Sequence, residues 1–338
     1  MKDFKGKIAL VTGGGSGGGL GQAKVFAKAG MKVAIADVRR DALHKAVGEI
    51  VDYAGCKVGD VLPLCFDLTD RKAFAAAADS IEQVFGGPPH LLILTAGVNS
   101  FGPIEASTFD DFDWVMGVCL DHVVNGLIIF VPRMLKAYAG KDGVPKEEFH
   151  VAATSSWGAF MNGANTGPYS AAKAAVNNLL YSYAEALSVY GSGATVLCPG
   201  NINSNIGNSE KFRPENLRNT GYHVSEGTMK HLSSIHAMGI DPVELGEILK
   251  EGIENGRVIV LPNHDVAESA KMLHNQNLEI EDYLLTAEER AKKKEARMAE
   301  RMKNAPPPGS WSVPEGAEPF GGARKDLDYI DPKRNPKY

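Results

Sequence analysis

The chain has 338 residues, of which 44% are hydrophobic and 23% charged, and its formal net charge is −5. This composition predicts a globular enzyme-sized core and lacks the basic excess of a nucleic-acid-binding protein. No stretch resembles a signal peptide, and the longest apolar segments are of core-strand length or interrupted. We therefore expect a cytoplasmic protein with neither a nucleic-acid partner nor a membrane span. Its four cysteines show no zinc or redox spacing and are expected to be free thiols.

The N-terminal segment predicts a strand, a glycine loop and a helix. The strand 7–12 runs into Gly-Gly-Gly-Ser-Gly-Gly-Gly-Leu-Gly and then into the helical AKVFAKAG. Glycines allow a tight turn and close approach of a pyrophosphate, and the helix N-terminus offers unpaired N–H groups. A second strand, 32–37, ends in Asp37, whose carboxylate can accept both ribose hydroxyls of NAD and would repel the extra phosphate of NADP. Arg39 and Arg40 are interpreted as solvated residues at the start of the next helix; alternatively, either could reach an NADP phosphate if Asp37 turned away.

Further strands alternate with helical segments along the chain. They are expected at 61–66, 90–95, 149–154, 193–198 and 257–261. The alternation predicts an α/β fold, a Rossmann-like, doubly wound and mostly parallel sheet of seven strands with helices on both faces. We expect one catalytic domain over 1–261 and a C-terminal extension over 262–338. Ligands of such sheets bind beyond the carboxyl ends of the strands. That edge gathers Gly13, Asp37, Gly97, Ser156 and Pro199.

Ser156, Tyr169 and Lys173 could place a hydroxyl, a phenol and an ammonium around one carbonyl oxygen. Ser156 ends the strand FHVAATSS, and Tyr169 and Lys173 are i,i+4 neighbours in an Ala/Leu-rich helix. An ammonium about 4 Å from a phenolate contributes roughly 4 kcal/mol at an effective dielectric near 20. We therefore expect Lys173 to lower the pKa of Tyr169 by up to about three, so that Tyr169 exchanges a proton near neutral pH.

These motifs together resemble the short-chain dehydrogenase/reductase family over residues 5 to 261. The glycine motif has the family's spacing, Thr12-Gly13, three residues, then Gly17-x-Gly19, and three later motifs follow in order. They are Asp67-Leu68, Ala96-Gly97 and Pro199-Gly200-x-Ile202-x-Ser204. The resemblance implies that Tyr169 is the catalytic acid/base, that Ser156 polarises the carbonyl and that Lys173 also holds the nicotinamide ribose.

The same resemblance implies an NAD-binding set and an assembly. The cofactor residues would be Gly13, Ser16, Gly17, Gly19, Leu20, Asp37, Asp67, Leu68, Ala96, Gly97, Tyr169, Lys173, Pro199, Gly200, Ile202 and Ser204. Family members commonly form dimers or tetramers through helices of the middle region, so a homodimer or homotetramer is expected.

Two positions depart from the family pattern. Leu94-Thr95-Ala96-Gly97 replaces Asn-Asn-Ala-Gly, which we interpret as a structural difference. Cys119 stands where the family has a tetrad asparagine that orders a water in the proton relay, and a thiol is a weak hydrogen-bonding group. His122 or Asn125 could substitute; alternatively, Cys119 is a small buried residue and His122 a polar helix residue.

Substrate recognition is expected from residues 201–240, a long connection that suggests an active-site lid. Candidate pocket residues are Phe212, Tyr222, His223 and Met229, with Trp157, Phe160 and Met161 after the catalytic serine; the alternative for each aromatic is core packing. No metal is expected, because His223, His231 and His236 match no standard site. TGPYSAAK and VIVLPNHD look like segments of family members that act on bulky secondary alcohols, including lignin-derived aryl alcohols and hydroxysteroids.

The sequence hypothesis is reversible oxidation of a bulky, aromatic or polycyclic secondary alcohol to its ketone, with Tyr169 taking the proton and NAD the hydride. One alternative is an NAD-using epimerase or lyase of the same fold, in which the hydride returns to the substrate. The other is a dinucleotide-sensing module without turnover, motivated by the missing tetrad asparagine. Accumulation of NADH would separate the first reading from both.

The C-terminal extension contains one clear helix signal. Thr286 and Glu289 form a capping-box pattern before a helix near 287–303, whose basic residues are interspersed with Glu and read as a solvated face. Pro and Gly are frequent from 304 to 338, where an independent core is not expected. Four aromatic residues are spaced along this tail: Trp311, Phe320, Tyr329 and Tyr338. Their spacing predicts that the tail docks on a neighbouring subunit.

Overall fold

Seven strands form one parallel sheet in the computed structural model, which describes residues 1–140, 144–161, 163–218, 220–262, 264–278 and 286–304. The strands are β1 (Ile8–Thr12), β2 (Lys32–Asp37), β3 (Val61–Cys65), β4 (Leu91–Leu94), β5 (His150–Thr154), β6 (Gly193–Leu197) and β7 (Ile259–Val260). Their order across the sheet is β3-β2-β1-β4-β5-β6-β7. Each predicted strand is therefore confirmed, with ends that differ by one or two residues.

Six helices cover the two faces of this sheet. The helices of the described residues are α1 (Gly17–Lys28), α2 (Arg40–Ala54), α3 (Arg71–Phe85), α4 (Phe109–Met116), α5 (His122–Tyr138), α6 (Gly167–Ser188), α7 (Glu226–Ala237), α8 (Pro242–Glu254), α9 (His264–Leu278) and α10 (Ala287–Asn304). One core layer joins the sheet to α3, α5 and α6, and a second joins it to α1, α2 and α8. Because the inner strands are buried on both faces, their sequences are continuous apolar runs rather than alternating ones.

The position of the ligand cleft follows from the strand order. The chain winds outward from β1 to β2 and β3, then returns to place β4 on the other side of β1. Loops after β1 and β4 therefore diverge to opposite faces and leave a crevice beyond the carboxyl ends of the two strands. The sequence prediction of a Rossmann-like, doubly wound fold is confirmed.

One helical run among the described residues, Phe109–Tyr138, is long and apolar enough to cross a membrane by length and composition alone. It comprises α4, a π-helical turn at Gly117–Asp121, and α5. Most of its apolar window is buried inside the protein, where Leu127 and Phe130 pack in the core against the sheet. The hydrophobicity of this run is thus used in the core layer.

Two histidines are fully enclosed in the core, His122 at the start of α5 and His150 in β5. Burial lowers the pKa of each to about 3, and the nearby charge of Lys173 adds to the effect on His122. Both are neutral in the folded protein, whereas in the unfolded chain they bind a proton below about pH 6.5. Stability is therefore complete above that pH and is lost as the pH falls from about 6.5 towards about 3.

We expect a pH decrease from 7 to 5 to cost about 2 kcal/mol of unfolding free energy per histidine, or about 4 kcal/mol for the pair. Urea unfolding at the two pH values measures this loss. His150→Gln should remove about half of the pH-dependent loss that the pair causes, whereas the exposed control His44→Gln should leave that loss unchanged. An equal loss in wild type and His150→Gln would contradict the assignment.

The first helix after β7 packs against the part of the chain that forms the sheet. Helix α9 packs on the turn at Trp157–Phe160, and the ring of Phe160 lies 6.4 Å from that of His274. Helix α10 confirms the predicted helix, and its capping box is present: Thr286 N and Oγ1 donate to Glu289 Oε2 at 2.8 and 2.7 Å. The predicted docking of Trp311, Phe320, Tyr329 and Tyr338 lies outside the described residues.

Candidate active site

A cavity of about 980 Å³ opens beyond the carboxyl ends of the strands. Its walls come from the loops after β1, β2, β4, β5 and β6, from α6 and from the 201–240 segment. It is lined by the glycine loop and Asp37 and also by aromatic and aliphatic side chains. The cavity is large enough for two different ligands to meet.

The glycine loop is shaped by backbone positions that exclude side chains. Gly13 has a φ of +68°, and a Cβ there would lie 2.9 Å from the Cα of Ala96. Gly17 has a φ of +53°, and its Cβ would lie 2.9 Å from that of Ser204. The loop leads directly into α1, whose N-terminus faces the cavity. A backbone cradle at a helix N-terminus fits a pyrophosphate, so the residues present fit a dinucleotide.

Asp37 ends β2 on the cavity wall, as predicted, and Arg39 is paired with it. Arg39 Nε donates to Asp37 Oδ1 at 3.0 Å, and Arg39 Nη2 donates to Asp37 Oδ2 at 2.9 Å and to Ser16 Oγ at 2.8 Å. The interpretation of Arg39 as a solvated residue is therefore wrong. The buried carboxylate attracts the guanidinium, whose planar fork matches both oxygens.

Ser156, Tyr169 and Lys173 converge on the cavity from two elements. Ser156 follows β5 and its Oγ accepts a hydrogen bond from Gly158 N at 2.9 Å. Ser156 also hydrogen-bonds Tyr169, which lies in the first turn of α6. A Cβ at Gly158 would lie 3.3 Å from Ser156 Oγ and 3.4 Å from the ring of Tyr169, so a glycine keeps the two side chains together.

Lys173 lies one helical turn after Tyr169 and is almost completely buried. Its Nζ donates to the carbonyl oxygen of Thr154 at 2.8 Å and lies 5.6 Å from the centre of the Tyr169 ring. A Cβ at Gly97 would lie 3.5 Å from the same Nζ. The ammonium is thus held between the ends of β4 and β5.

The expected lowering of the Tyr169 pKa is not found in the protein alone. Burial raises the pKa of Tyr169 above its usual value, the thiol of Cys119 adds to the rise, and the hydrogen bond from Ser156 opposes it. Burial also lowers the pKa of Lys173. The physical reason is that desolvation disfavours both charged forms, while Lys173 Nζ is directed at Thr154 O.

The tetrad register contains a buried thiol. Cys119 lies in the π-helical turn, where its Sγ donates to Val98 O at 3.1 Å and accepts from Val98 N at 3.4 Å. Asn125 Nδ2 donates to Leu68 O at 3.3 Å, and His122 Nε2 lies 3.4 Å from Thr12 Oγ1. Both candidates are buried, and these contacts are to Leu68 and Thr12 rather than to Lys173. The geometry therefore supports the interpretation of Cys119 as a small buried residue and of His122 as a polar helix residue.

A buried hydroxyl and amide network replaces the missing Asn-Asn pair, and sequence reasoning missed it. Thr95 Oγ1 donates to Gln22 Oε1 at 2.6 Å and lies 2.8 Å from Thr154 Oγ1. Gln22 Nε2 donates to Thr154 Oγ1 at 3.1 Å. The network ties α1 to the ends of β4 and β5, directly beside the carbonyl that holds Lys173. Its signal was a lone glutamine among the apolar residues of α1.

The substrate candidates divide between the cavity and the core. Trp157, Met161 and Phe212 line the cavity. Phe160 packs against the core, Tyr222 is buried beside Gly102, and His223 is exposed. None of these last three lines the cavity, and their predicted role in substrate binding stays a prediction. Their environment follows from tertiary packing that aromatic spacing does not encode.

Some residues of the 201–240 segment line the cavity although the sequence analysis did not name them. Leu232, Ile235 and His236, on one face of α7, line the cavity, whereas the predicted Met229 is buried outside it. The base of the segment is closed by a bridge between Ile202 and Ile240. The two ends of the segment are therefore paired, and the residues between them fold into a wall of the cavity.

The middle of this wall is anchored by Arg213, a buried cation that the sequence analysis did not identify. Arg213 Nη2 donates to Asp111 Oδ1 at 2.9 Å, and Nε donates to Glu210 Oε2 at 2.8 Å. Its Cζ lies 4.4 Å from the ring centre of Trp114. Phe212, Pro214 and Leu217 next to it face the cavity.

The predicted dinucleotide residues meet in one place with one exception. The cavity is lined by Gly13, Ser16, Gly17, Gly19, Asp37, Asp67, Leu68, Ala96, Gly97, Tyr169, Lys173, Pro199, Gly200, Ile202 and Ser204. Leu20 does not line it, because its side chain points from α1 into the core layer with α2 and α8. Within the described ranges, no cluster of three His, Cys, Asp or Glu side chains could hold a metal ion.

The chain is similar in sequence and fold to known proteins. A family model described as short chain dehydrogenase matches residues 7–214. A C alpha-dehydrogenase from Sphingobium sp. strain SYK-6 is 47% identical over 268 residues, 79% of this chain and 84% of that protein. The apo crystal structure of LigO from the same strain superimposes with a TM-score of 0.66 at 38% identity, covering 91% of this chain and 100% of that one.

A third relative was solved with a dinucleotide. The crystal structure of a short chain dehydrogenase/reductase from Burkholderia phymatum in complex with NAD superimposes with a TM-score of 0.74 at 29% identity, covering 82% of this chain and 97% of that one. The matched region of this chain contains the glycine loop, Asp37 and the Ser156, Tyr169 and Lys173 cluster. With a family model matching more than half of its length, this chain belongs to the short-chain dehydrogenase family.

Proposed function

We propose that this protein oxidises a bulky, aromatic or polycyclic secondary alcohol to its ketone with NAD, reversibly. The observation that carries the proposal is that Ser156, Tyr169 and Lys173 line one cavity together with a dinucleotide cradle and an apolar wall. The glycine loop and Asp37 form the cradle, and Trp114, Trp157 and other apolar residues form the wall. Two relatives support the same proposal: one is named C alpha-dehydrogenase, and the other was crystallised with NAD.

Each of the three side chains has a role in this proposal. Tyr169 takes the hydroxyl proton of the alcohol, and Ser156 donates a hydrogen bond to the same oxygen as it becomes the carbonyl. Lys173 holds the cofactor ribose and stabilises the phenolate of Tyr169. Bound NAD supplies the hydride acceptor for the carbinol hydrogen. The substrate C–H and O–H bonds break together, leaving a ketone.

The test is a screen of secondary alcohols with increasing ring size, followed by the absorbance of NADH. Turnover is expected with benzylic or polycyclic secondary alcohols and is expected to be weak with 2-propanol, because the apolar wall contributes binding only to a large substrate. Tight NAD binding without NADH formation on any alcohol would favour the dinucleotide-sensing alternative. Epimerised product without NADH would favour the epimerase.

Cofactor choice provides a separate prediction. The Asp37 carboxylate should repel the 2′-phosphate of NADP, so kcat/KM for NAD should exceed that for NADP by about tenfold or more, since like charges at 4 Å cost several kcal/mol before Arg39 offsets part of the repulsion. Asp37→Ala should narrow the ratio, and the exposed neighbour Asp41→Ala should not. A preference of the wild-type enzyme for NADP would overturn this assignment.

We also propose a cytoplasmic homodimer or homotetramer, since the family's members are commonly oligomeric. Sedimentation of the full chain tests the assembly. A monomer at micromolar concentration would be evidence against it.

A further inference from the structure

Four donors already surround the carboxylate of Asp37. Oδ1 accepts from Arg39 N and Nε, both at 3.0 Å, and Oδ2 accepts from Arg39 Nη2 at 2.9 Å and Gly15 N at 3.3 Å. A carboxylate offers about four lone-pair positions. Two of the donors are backbone N–H groups, and the other two belong to the Arg39 side chain. A ribose diol that binds Asp37 must therefore displace the guanidinium.

The same guanidinium contacts a side chain of the 201–240 segment that lines the cavity. Its Cζ lies 5.0 Å from the ring centre of Phe212, a cation–π distance. Phe212 lines the cavity and is followed by Arg213, whose buried ion pairs fix the backbone. Arg39 thus joins the residue that recognises the ribose to a residue of the 201–240 segment.

We propose that Arg39 is a positioning residue that couples ribose binding at Asp37 to the Phe212 wall of the substrate cavity. The proposal depends on the proposed use of NAD. When a diol takes the oxygens of Asp37, the guanidinium leaves both Asp37 and the face of Phe212. Before that, Arg39 joins Asp37 to Phe212. Cofactor binding should then alter the 201–240 wall of the cavity, which favours binding of the cofactor before the alcohol.

A double-mutant cycle on NAD affinity tests the coupling. Phe212→Leu removes the cation–π contact that stabilises Arg39 on Asp37, so it should tighten NAD binding by about two- to fivefold in the wild-type background. In the Arg39→Met background, Phe212→Leu should have no effect. The matched charge control, Arg40→Met, should leave the effect of Phe212→Leu intact.

Hydrogen exchange of residues 206–212 gives a readout that a purely structural role would not move. ADP-ribose, which carries the adenosine diol, should change exchange there in the wild type but not in Arg39→Met. Nicotinamide mononucleotide lacks that diol and should leave exchange unchanged. If NAD fails to bind the wild type, the proposed function fails and this inference with it. If NAD binds and the Phe212→Leu effect is equal in both backgrounds, or exchange at 206–212 does not respond, the coupling alone is refuted.

Discussion

Tyr169→Phe is expected to reduce kcat by about a hundred- to ten-thousandfold while leaving the dissociation constant of NAD nearly unchanged, because only the proton-transferring hydroxyl is removed and general acid–base groups contribute about 10²–10⁴. The ring remains, so the packing against Gly158 and Cys119 is preserved. Steady-state NADH formation and NAD titration followed by fluorescence measure the two quantities.

A matched control is available on the same helix. Tyr181 lies on α6 with its side chain partly exposed and away from the cavity, so Tyr181→Phe should retain wild-type activity. Wild-type oxidation should also rise with pH, since Tyr169 must lose its proton to act as a base and burial raises its pKa. Activity of Tyr169→Phe near that of Tyr181→Phe would remove Tyr169 from the proposed role.

Much of this site could be predicted because its parts are local patterns at strand ends. Asp37 is recognisable as the residue after an apolar strand, and Tyr169 and Lys173 as an i,i+4 pair after a strand that ends in serine. A parallel sheet brings all strand ends to one edge, so recognition of the strands also predicts that these residues meet. For this reason the fold and the catalytic cluster could be predicted from the sequence.

The parts that could not be predicted depend on contacts between distant segments. Asp111 and Arg213 are 102 residues apart, and nothing in either segment indicates the pair. The pKa of Tyr169 is raised by desolvation and opposed by the hydrogen bond from Ser156, and spacing does not report the extent of burial. Arg39 follows Asp37 closely, yet sequence does not distinguish a solvated side chain from one that folds back. In each case the deciding quantity is burial.

Arg213→Ala is expected to lower the free energy of unfolding by about 3–5 kcal/mol, the cost of leaving a buried ion pair without one partner. Asp111 is completely buried and the Arg213 side chain is 2% exposed, so water cannot replace the lost donor. Urea unfolding measures the loss. Because Arg213 fixes the wall beside Phe212, the variant should also raise KM for the alcohol more than it changes NAD affinity.

The chain provides a matched control for this change in Arg218, whose ion pair with Glu215 belongs to the same segment but is solvent-exposed. Exposed pairs contribute about 0–1 kcal/mol, so Arg218→Ala should cost little. Asp111→Asn combined with Arg213→Met removes the fully buried pair and leaves only the partly exposed Glu210 carboxylate without its partner, so it should recover part of the stability. Equal destabilisation by Arg213→Ala and Arg218→Ala would mean that the 201–240 wall is held by its apolar contacts, because a buried anchor and an exposed pair would then contribute the same.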